Sequence, residues 1–124
     1  MFSIKNYRDL IVWQKSVELV ETIYNLTRTF PREEVYGITS QMRRAAVSIP
    51  SNIAEGQSRN GTKEFIQFLG ISQGSLAELE TLIELSRRMS YIKEDKYITL
   101  ETSCSEIGKL LNGLRNSLVQ KLGL

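Results

Sequence analysis

The chain has 124 residues, 41% hydrophobic and 24% charged, with 16 basic residues against 14 acidic ones and a formal net charge of +2. That length holds one domain with its own core, and that charge is too small for nucleic-acid binding by bulk electrostatics, which leaves only local clusters to weigh. Histidine is absent and Cys104 is the only cysteine, so the chain lacks the commonest general base and metal ligand; no intrachain disulfide can form, and neither a zinc site nor a Cys/His nucleophile is expected.

No apolar run approaches the length that spans a bilayer, and the opening stretch MFSIKNYRDL lacks the long apolar segment of a secretory signal. A cytoplasmic protein without cofactor or metal is expected. The lone cysteine fits a reducing compartment.

In chain order, the first predicted element is a helix from about Asp9 to Arg28, with Asp9 as its N-cap. Leu10, Trp13, Val17, Val20 and Tyr24 form one apolar row, and Val12, Leu19, Ile23 and Leu26 form a second beside it. At ~100° per residue the two rows cover roughly 200° of the helix. A band that wide serves either two neighbouring helices or one neighbour and another subunit. Trp13 is accordingly read as core or subunit interface, with base stacking as the alternative.

Pro31 suits the first turn of a second helix, and Glu33 and Glu34 suit its positive end. Val35, Ile38, Met42, Ala45, Ile49 and Ile53 then recur at steps of three and four, with Gln41, Arg44, Ser48 and Glu55 opposite. Pro50 falls inside this pattern, without an N–H for the Ala46 carbonyl, so the helix must kink or restart there. The apolar row keeps its phase to Ile53, which favours a kink. Gly56 is expected to end the helix in a left-handed conformation, with QSRNG as the loop.

The third helix is predicted to start near Asn60 or Thr62. Phe65, Leu69, Ser72, Leu76, Leu79, Ile83 and Ser86 alternate four and three, flanked by Phe68, Ile71, Leu82, Leu85 and Met89. Gly70, Gly74 and Ala77 form a strip almost without side chains. Two glycines inside a helix cost about 1 kcal/mol each against alanine, and close approach of another helix is the usual compensation. In the fourth helix Tyr97, Leu100, Cys104, Ile107, Leu111, Leu114 and Leu118 repeat three and four, the seam of a left-handed bundle. Cys104 on that seam reads as a small buried apolar residue. Short connections favour antiparallel neighbours. The expected fold is all-α: a single-domain, up-down-up-down four-helix bundle over residues 1–124, with its second helix kinked at Pro50.

Several charged groups need weighing. Arg43 and Arg44 are adjacent, so they point about 100° apart. Arg44 reads either as surface charge or an inter-subunit ion pair, or as a phosphate contact to which Arg59 and Lys63 add. A helix start at Asn60, Gly61 and Thr62 would favour an anion there. Glu55 reads as a structural hydrogen-bond or salt-bridge partner. Glu78, Glu80 and Glu84 lack the histidines that a di-metal bundle site takes from its Glu-x-x-His motifs. Arg87 and Arg88 suit the negative end of the third helix, and Glu84 can pair with Arg88 one turn away.

The segments YRDLIVWQKSVELVETIY, TFPREEVYGITSQMRRAAVSIPSNIAEGQSR and KEFIQFLGISQGSLAELETLIELSRRMSYI, with the helix after them, resemble the four-helix-bundle proteins encoded in intervening sequences of bacterial 23S rRNA genes. The most specific part is RRAAVSIPSNIAEG, followed by VWQKS around Trp13. The resemblance covers nearly the whole chain. It implies a homopentamer and no established catalytic activity. It also brings in a basic, nucleic-acid-binding relative that serves as accessory subunit of diversity-generating retroelements, beside a reverse transcriptase. In the family the serine-isoleucine-proline stretch lies in the second helix, so Ser51, Asn52 and Glu55 after Pro50 are implied to shape the face one subunit shows the next. The nearly even charge balance departs from the basic accessory protein. Two functions therefore stand side by side: a non-enzymatic oligomer contacting RNA, DNA or a ribonucleoprotein, and a protein-binding scaffold for a partner such as a reverse transcriptase.

Overall fold

A computed structural model describes residues 6–123. Residues 1–5 of the opening stretch, read above for a missing secretory segment, lie outside the described residues. Four helices follow one another: α1 Ile11–Thr27, α2 Ile38–Ser58, α3 Thr62–Arg88 and α4 Glu94–Lys121. Short 3-10 turns at Tyr7–Asp9 and Arg32–Glu34 precede α1 and α2. No strand occurs among the described residues.

The helices close a square in which α1 packs on α2 and α4, and α3 packs on α2 and α4. Between α2 and α3 the paired residues run in opposite order: Met42 meets Ser86, Ser48 meets Ser75, Ile49 meets Ser72, and Gly56 meets Phe65 and Phe68. These two helices are therefore antiparallel. The same descending order joins α3 to α4, from Gln73–Asn112 to Glu84–Tyr97 and Arg87–Glu94. The centre holds Ile23, Met42, Ile49, Ile53, Leu69, Leu79, Ile83, Ile107 and Leu111, all essentially inaccessible. Every member of the α3 row predicted above is buried, as are Leu100, Cys104, Ile107 and Leu111 of the α4 row.

Small hydroxyls complete this core. Ser16, Thr27 and Ser86 donate to the carbonyls of Val12, Ile23 and Leu82 four residues back, at 2.6, 2.7 and 2.8 Å. A hydroxyl so bonded is satisfied inside its own helix and packs like a small apolar group. In α1 this settles which row faces inward: Val12, Ser16, Leu19, Ile23 and Thr27 are buried, while Trp13, Val17 and Val20 are half-buried and Tyr24 is exposed. Trp13 rests edge-on against Tyr7, with ring centroids 5.3 Å apart.

Several expectations are corrected. Asp9 does not cap α1; it ends the preceding 3-10 turn, and Leu10 takes the cap position with no side-chain bond. The side-chain cap lies earlier, where Asn6 Oδ1 accepts the Arg8 N–H at 2.8 Å. Pro31 opens a 3-10 turn rather than α2, which begins seven residues later after Gly37, and Val35 is exposed. α2 runs without a break across the buried Pro50, so no second helix restarts there.

Gly56 is not a left-handed helix end either. It lies buried within α2, and the helix runs on through Gln57 and Ser58. What requires glycine is α3: a Cβ at position 56 would stand 2.6 Å from Phe68 Cβ and 3.1 Å from Phe65 Cδ1. Gly70 and Gly74, by contrast, have nothing within 4 Å of an added Cβ. No helix of this chain approaches them, and their strip faces away from the bundle.

Candidate functional site

Of the sequence candidates, the arginine pair lies at the start of α2 and Arg59 and Lys63 lie past its end. Arg43 and Arg59 are sixteen residues apart on one helix axis, roughly 24 Å. The structure therefore does not bring the four together within one protomer. Arg59 is also engaged: its Nη2 pairs with Glu55 Oε2 at 3.0 Å, and its guanidinium stands 5.3 Å from the Phe68 ring centroid. Glu55 is thereby tied to Arg59 one turn away on an exposed face. Lys63 is exposed on the first turn of α3.

Arg43 and Arg44 share their end of the molecule with two arginines that the sequence reading passed over. The last turn of α1, the Pro31 connection and the first turns of α2 enclose a cleft of about 530 Å³, lined by Tyr24, Thr27, Arg28, Phe30, Pro31, Arg32, Val35, Thr39, Ser40, Arg43 and Arg44. No carboxylate lines it. Arg28 and Arg32 flank Pro31 in sequence, and only the return of the chain onto α2 carries them to Arg43 and Arg44.

Local contacts fix one of the four. Arg43 Nε donates to Thr27 Oγ1 at 2.9 Å, Nη2 reaches the Tyr24 carbonyl at 3.4 Å, and the guanidinium lies 4.5 Å from the Tyr24 ring centroid. Such a cation–π stack holds the plane of the guanidinium and leaves its charge uncancelled. Arg28, Arg32 and Arg44 are exposed and make no ion pair among the described residues, whereas Arg59, Arg87 and Arg88 all do. Tyr36 stands beside this end of α2 with 97% of its surface open.

The remaining candidates lie away from this cleft. Asn52 donates from its amide to the Ser48 carbonyl at 2.8 Å and to Ser48 Oγ at 2.9 Å, and Ser48 Oγ bonds Ser75 Oγ at 2.7 Å. These groups form a polar seam between α2 and α3. Ser48, read from sequence as outward-facing, is half-buried in it. Glu84 accepts from Arg88, Arg87 and Tyr97 at 2.8, 3.1 and 2.7 Å, and these partners hold its carboxyl below the usual range, the Arg88 bond most of all. Glu80 moves the other way, pushed up by burial and then by Glu101. Cys104 is buried, and burial pushes its thiol up to about 12. Among the described residues no group of three or more acidic, histidine or cysteine side chains could hold a metal ion, and no helix is long and apolar enough to cross a membrane.

The cleft thus gathers four arginines, Arg28, Arg32, Arg43 and Arg44, at one end of the bundle. Comparison with known proteins agrees with the fold. A solved structure from Bacteroides thetaiotaomicron VPI-5482, a protein with unknown function from the S23 ribosomal protein family, matches with a TM-score of 0.79 and 28% identity, covering 86% of this chain and 96% of that one. No curated protein matches. The family model for 23S rRNA-intervening sequence proteins matches residues 8–113, from the turn before α1 to the last turns of α4. The chain belongs to the family of 23S rRNA-intervening sequence proteins.

Proposed function

We propose that this protein is a non-enzymatic homo-oligomer that contacts single-stranded RNA through the arginine cleft at the start of α2. The observation that carries the reading is the set of Arg28, Arg32, Arg43 and Arg44 around one cleft with no carboxylate in its lining. Arg59, Arg87 and Arg88, by contrast, are neutralised by Glu55 and Glu84. Four clustered guanidinium groups offset the weak overall charge of the chain, and copies arranged on an axis would repeat the cluster around a ring. Exposed Tyr36 beside the cleft supplies a face on which a base can stack.

Self-association is supported by the outward face of α3, where Gly70 and Gly74 have no neighbour and Ile71 and Leu85 are exposed. A pentamer is the expected assembly. Light scattering should give five times the 14.2 kDa of the chain, and Gly74→Leu should lower that mass; a monomer at high concentration overturns the assembly.

RNA contact is tested by fluorescence anisotropy with a labelled single strand. Three phosphates neutralised per protomer predict that log Kobs falls against log salt with a slope of about −2. Arg28→Glu with Arg44→Glu should abolish binding, and Arg59→Glu should leave it nearly unchanged. Unaltered binding in the double variant overturns the reading. A partner captured from cell extract with no dependence on salt would favour the protein-scaffold role instead.

A further inference from the structure

We infer that the arginine cleft is a site for a phosphate monoester, the dianionic group found at a strand end or on a free mononucleotide, rather than for the diester backbone alone. The inference rests on the reading of the same cleft as the RNA contact and specifies which part of the nucleic acid enters it.

The carrying observation is Thr39. It is 5% exposed and lines the cleft, and its Oγ1 is buried without a hydrogen-bond partner. The other four buried hydroxyl residues among the described residues are all satisfied: Ser16, Thr27 and Ser86 by the carbonyl four positions back, and Ser72 by the Ile49 carbonyl at 2.9 Å. Thr39 is the exception for a local reason. It is the second residue of α2, so no helical carbonyl lies one turn behind it. A buried hydroxyl left unpaired is costly and calls for a partner.

The backbone at that point is in the same condition. The first turn of a helix presents N–H groups with no carbonyl to donate to. Glu34 Oε1 accepts the Ile38 N–H at 3.2 Å, and its other oxygen accepts from Tyr91 Oη at 2.9 Å. The Thr39 and Ser40 N–H groups follow, and both residues line the cleft. α2 is 21 residues long, and its N-terminal end carries the partial positive charge of a helix, which Glu34 offsets at Ile38 alone among these three amides.

The donors therefore comprise one hydroxyl, two amides, the forks of Arg28, Arg32 and Arg44, and what Arg43 has left after its bonds to Thr27 and the Tyr24 carbonyl. A phosphodiester offers two terminal oxygens and one negative charge. A monoester offers three oxygens and nearly two charges at neutral pH, which answers the donor number and the arginine count better. The volume of about 530 Å³ falls in the range of small-ligand sites and admits a nucleotide.

The test uses the full chain and one ten-nucleotide RNA sequence in three forms: 5′-phosphorylated, 3′-phosphorylated and with both ends hydroxyl. Their affinities are compared by anisotropy at fixed salt, with adenosine monophosphate as competitor. One phosphorylated form should bind about tenfold more tightly than the hydroxyl form, the size of one charge-assisted hydrogen bond. Thr39→Val, which keeps the shape and removes only the hydroxyl, should erase that difference; a difference kept in full in the variant overturns the site. Displacement of the phosphorylated strand by adenosine monophosphate at like concentration assigns the free nucleotide as ligand; failure to displace it assigns the strand end; both uphold the site. Equal affinity for all three forms overturns the monoester site and leaves RNA contact standing. No binding of any RNA and none of adenosine monophosphate overturns both.

Discussion

Gly56 of α2 and Phe68 of α3 lie so close that a Cβ on the glycine would stand 2.6 Å from the Phe68 Cβ. The Phe68 Cβ is fixed to its backbone and cannot swing aside, so the two helices would have to part. Gly56→Ala should therefore destabilise the protein by about 1–3 kcal/mol, the range of core overpacking, although alanine is the better helix former. Urea denaturation of Gly56→Ala and Gly70→Ala separates the two effects. The first should lower the midpoint; the second, with open space around it, should not.

The end of α3 carries an unoptimised residue. Ser90 has φ +62°, the only non-glycine residue with positive φ among the described residues. The Tyr91 N–H donates to the Ser86 carbonyl at 2.8 Å, and the Ser90 N–H to the Arg87 carbonyl at 3.0 Å. This is a Schellman ending, which favours glycine at the left-handed position. Ser90→Gly should raise stability by about 1 kcal/mol. A lower melting temperature in the variant would contradict the strain.

Cys104 should be chemically silent in the native state. Its thiol is buried in the bundle and pushed up to about 12 by burial, with Glu80 and Glu101 adding to the effect. Since the thiolate is the reactive form, an aromatic disulfide reagent at pH 8 should react with the folded protein about a thousandfold more slowly than with the denatured chain. Comparable rates in the two states would show that the bundle opens readily.

Glu84 predicts a pH dependence of known sign. The Arg88 bond first, and then the Tyr97 bond, lower its folded pKa from the ordinary 4.5. A carboxylate lowered on folding stabilises the native state above its unfolded value and loses that contribution as pH falls through the folded one. Glu84→Gln should unfold at lower urea concentration than the wild type at neutral pH. The gap should narrow as pH falls below 4.5. A constant gap down to pH 3 would show that the charge is not what matters.

Helix count and the α3 core row were legible because apolar residues there keep one phase, and the two serines in the row find acceptors. α1 was ambiguous because both of its rows are apolar. The choice fell to Ser16 and Thr27, whose polarity hides them from a hydrophobic pattern until their hydroxyls are seen on the Val12 and Ile23 carbonyls. Gly56 was misread because glycine more often ends a helix than admits a neighbour, and only the position of Phe68 distinguishes the two. The site was half legible. Arg43 and Arg44 are adjacent in sequence and stand out. Arg28 and Arg32 join them through the fold of the connection, and Arg59 drops out because a glutamate one turn earlier neutralises it. Thr39 gave no signal at all, since an orphaned hydroxyl is a property of position and not of residue type.

The last buried residue of α4 is Leu111, although the helix continues to Lys121. Leu114 and Leu118 are only half-covered, so beyond the Gln73–Asn112 bond the stretch 113–121 is held mainly by its own helical hydrogen bonds and a partial apolar edge. Amide protons beyond Leu111 will then trade with deuterium through local fraying, while those between Leu100 and Leu111 wait for the whole molecule to open. The bundle can loosen at this one end without disturbing the arginine cleft, which is built entirely from α1, α2 and their connection.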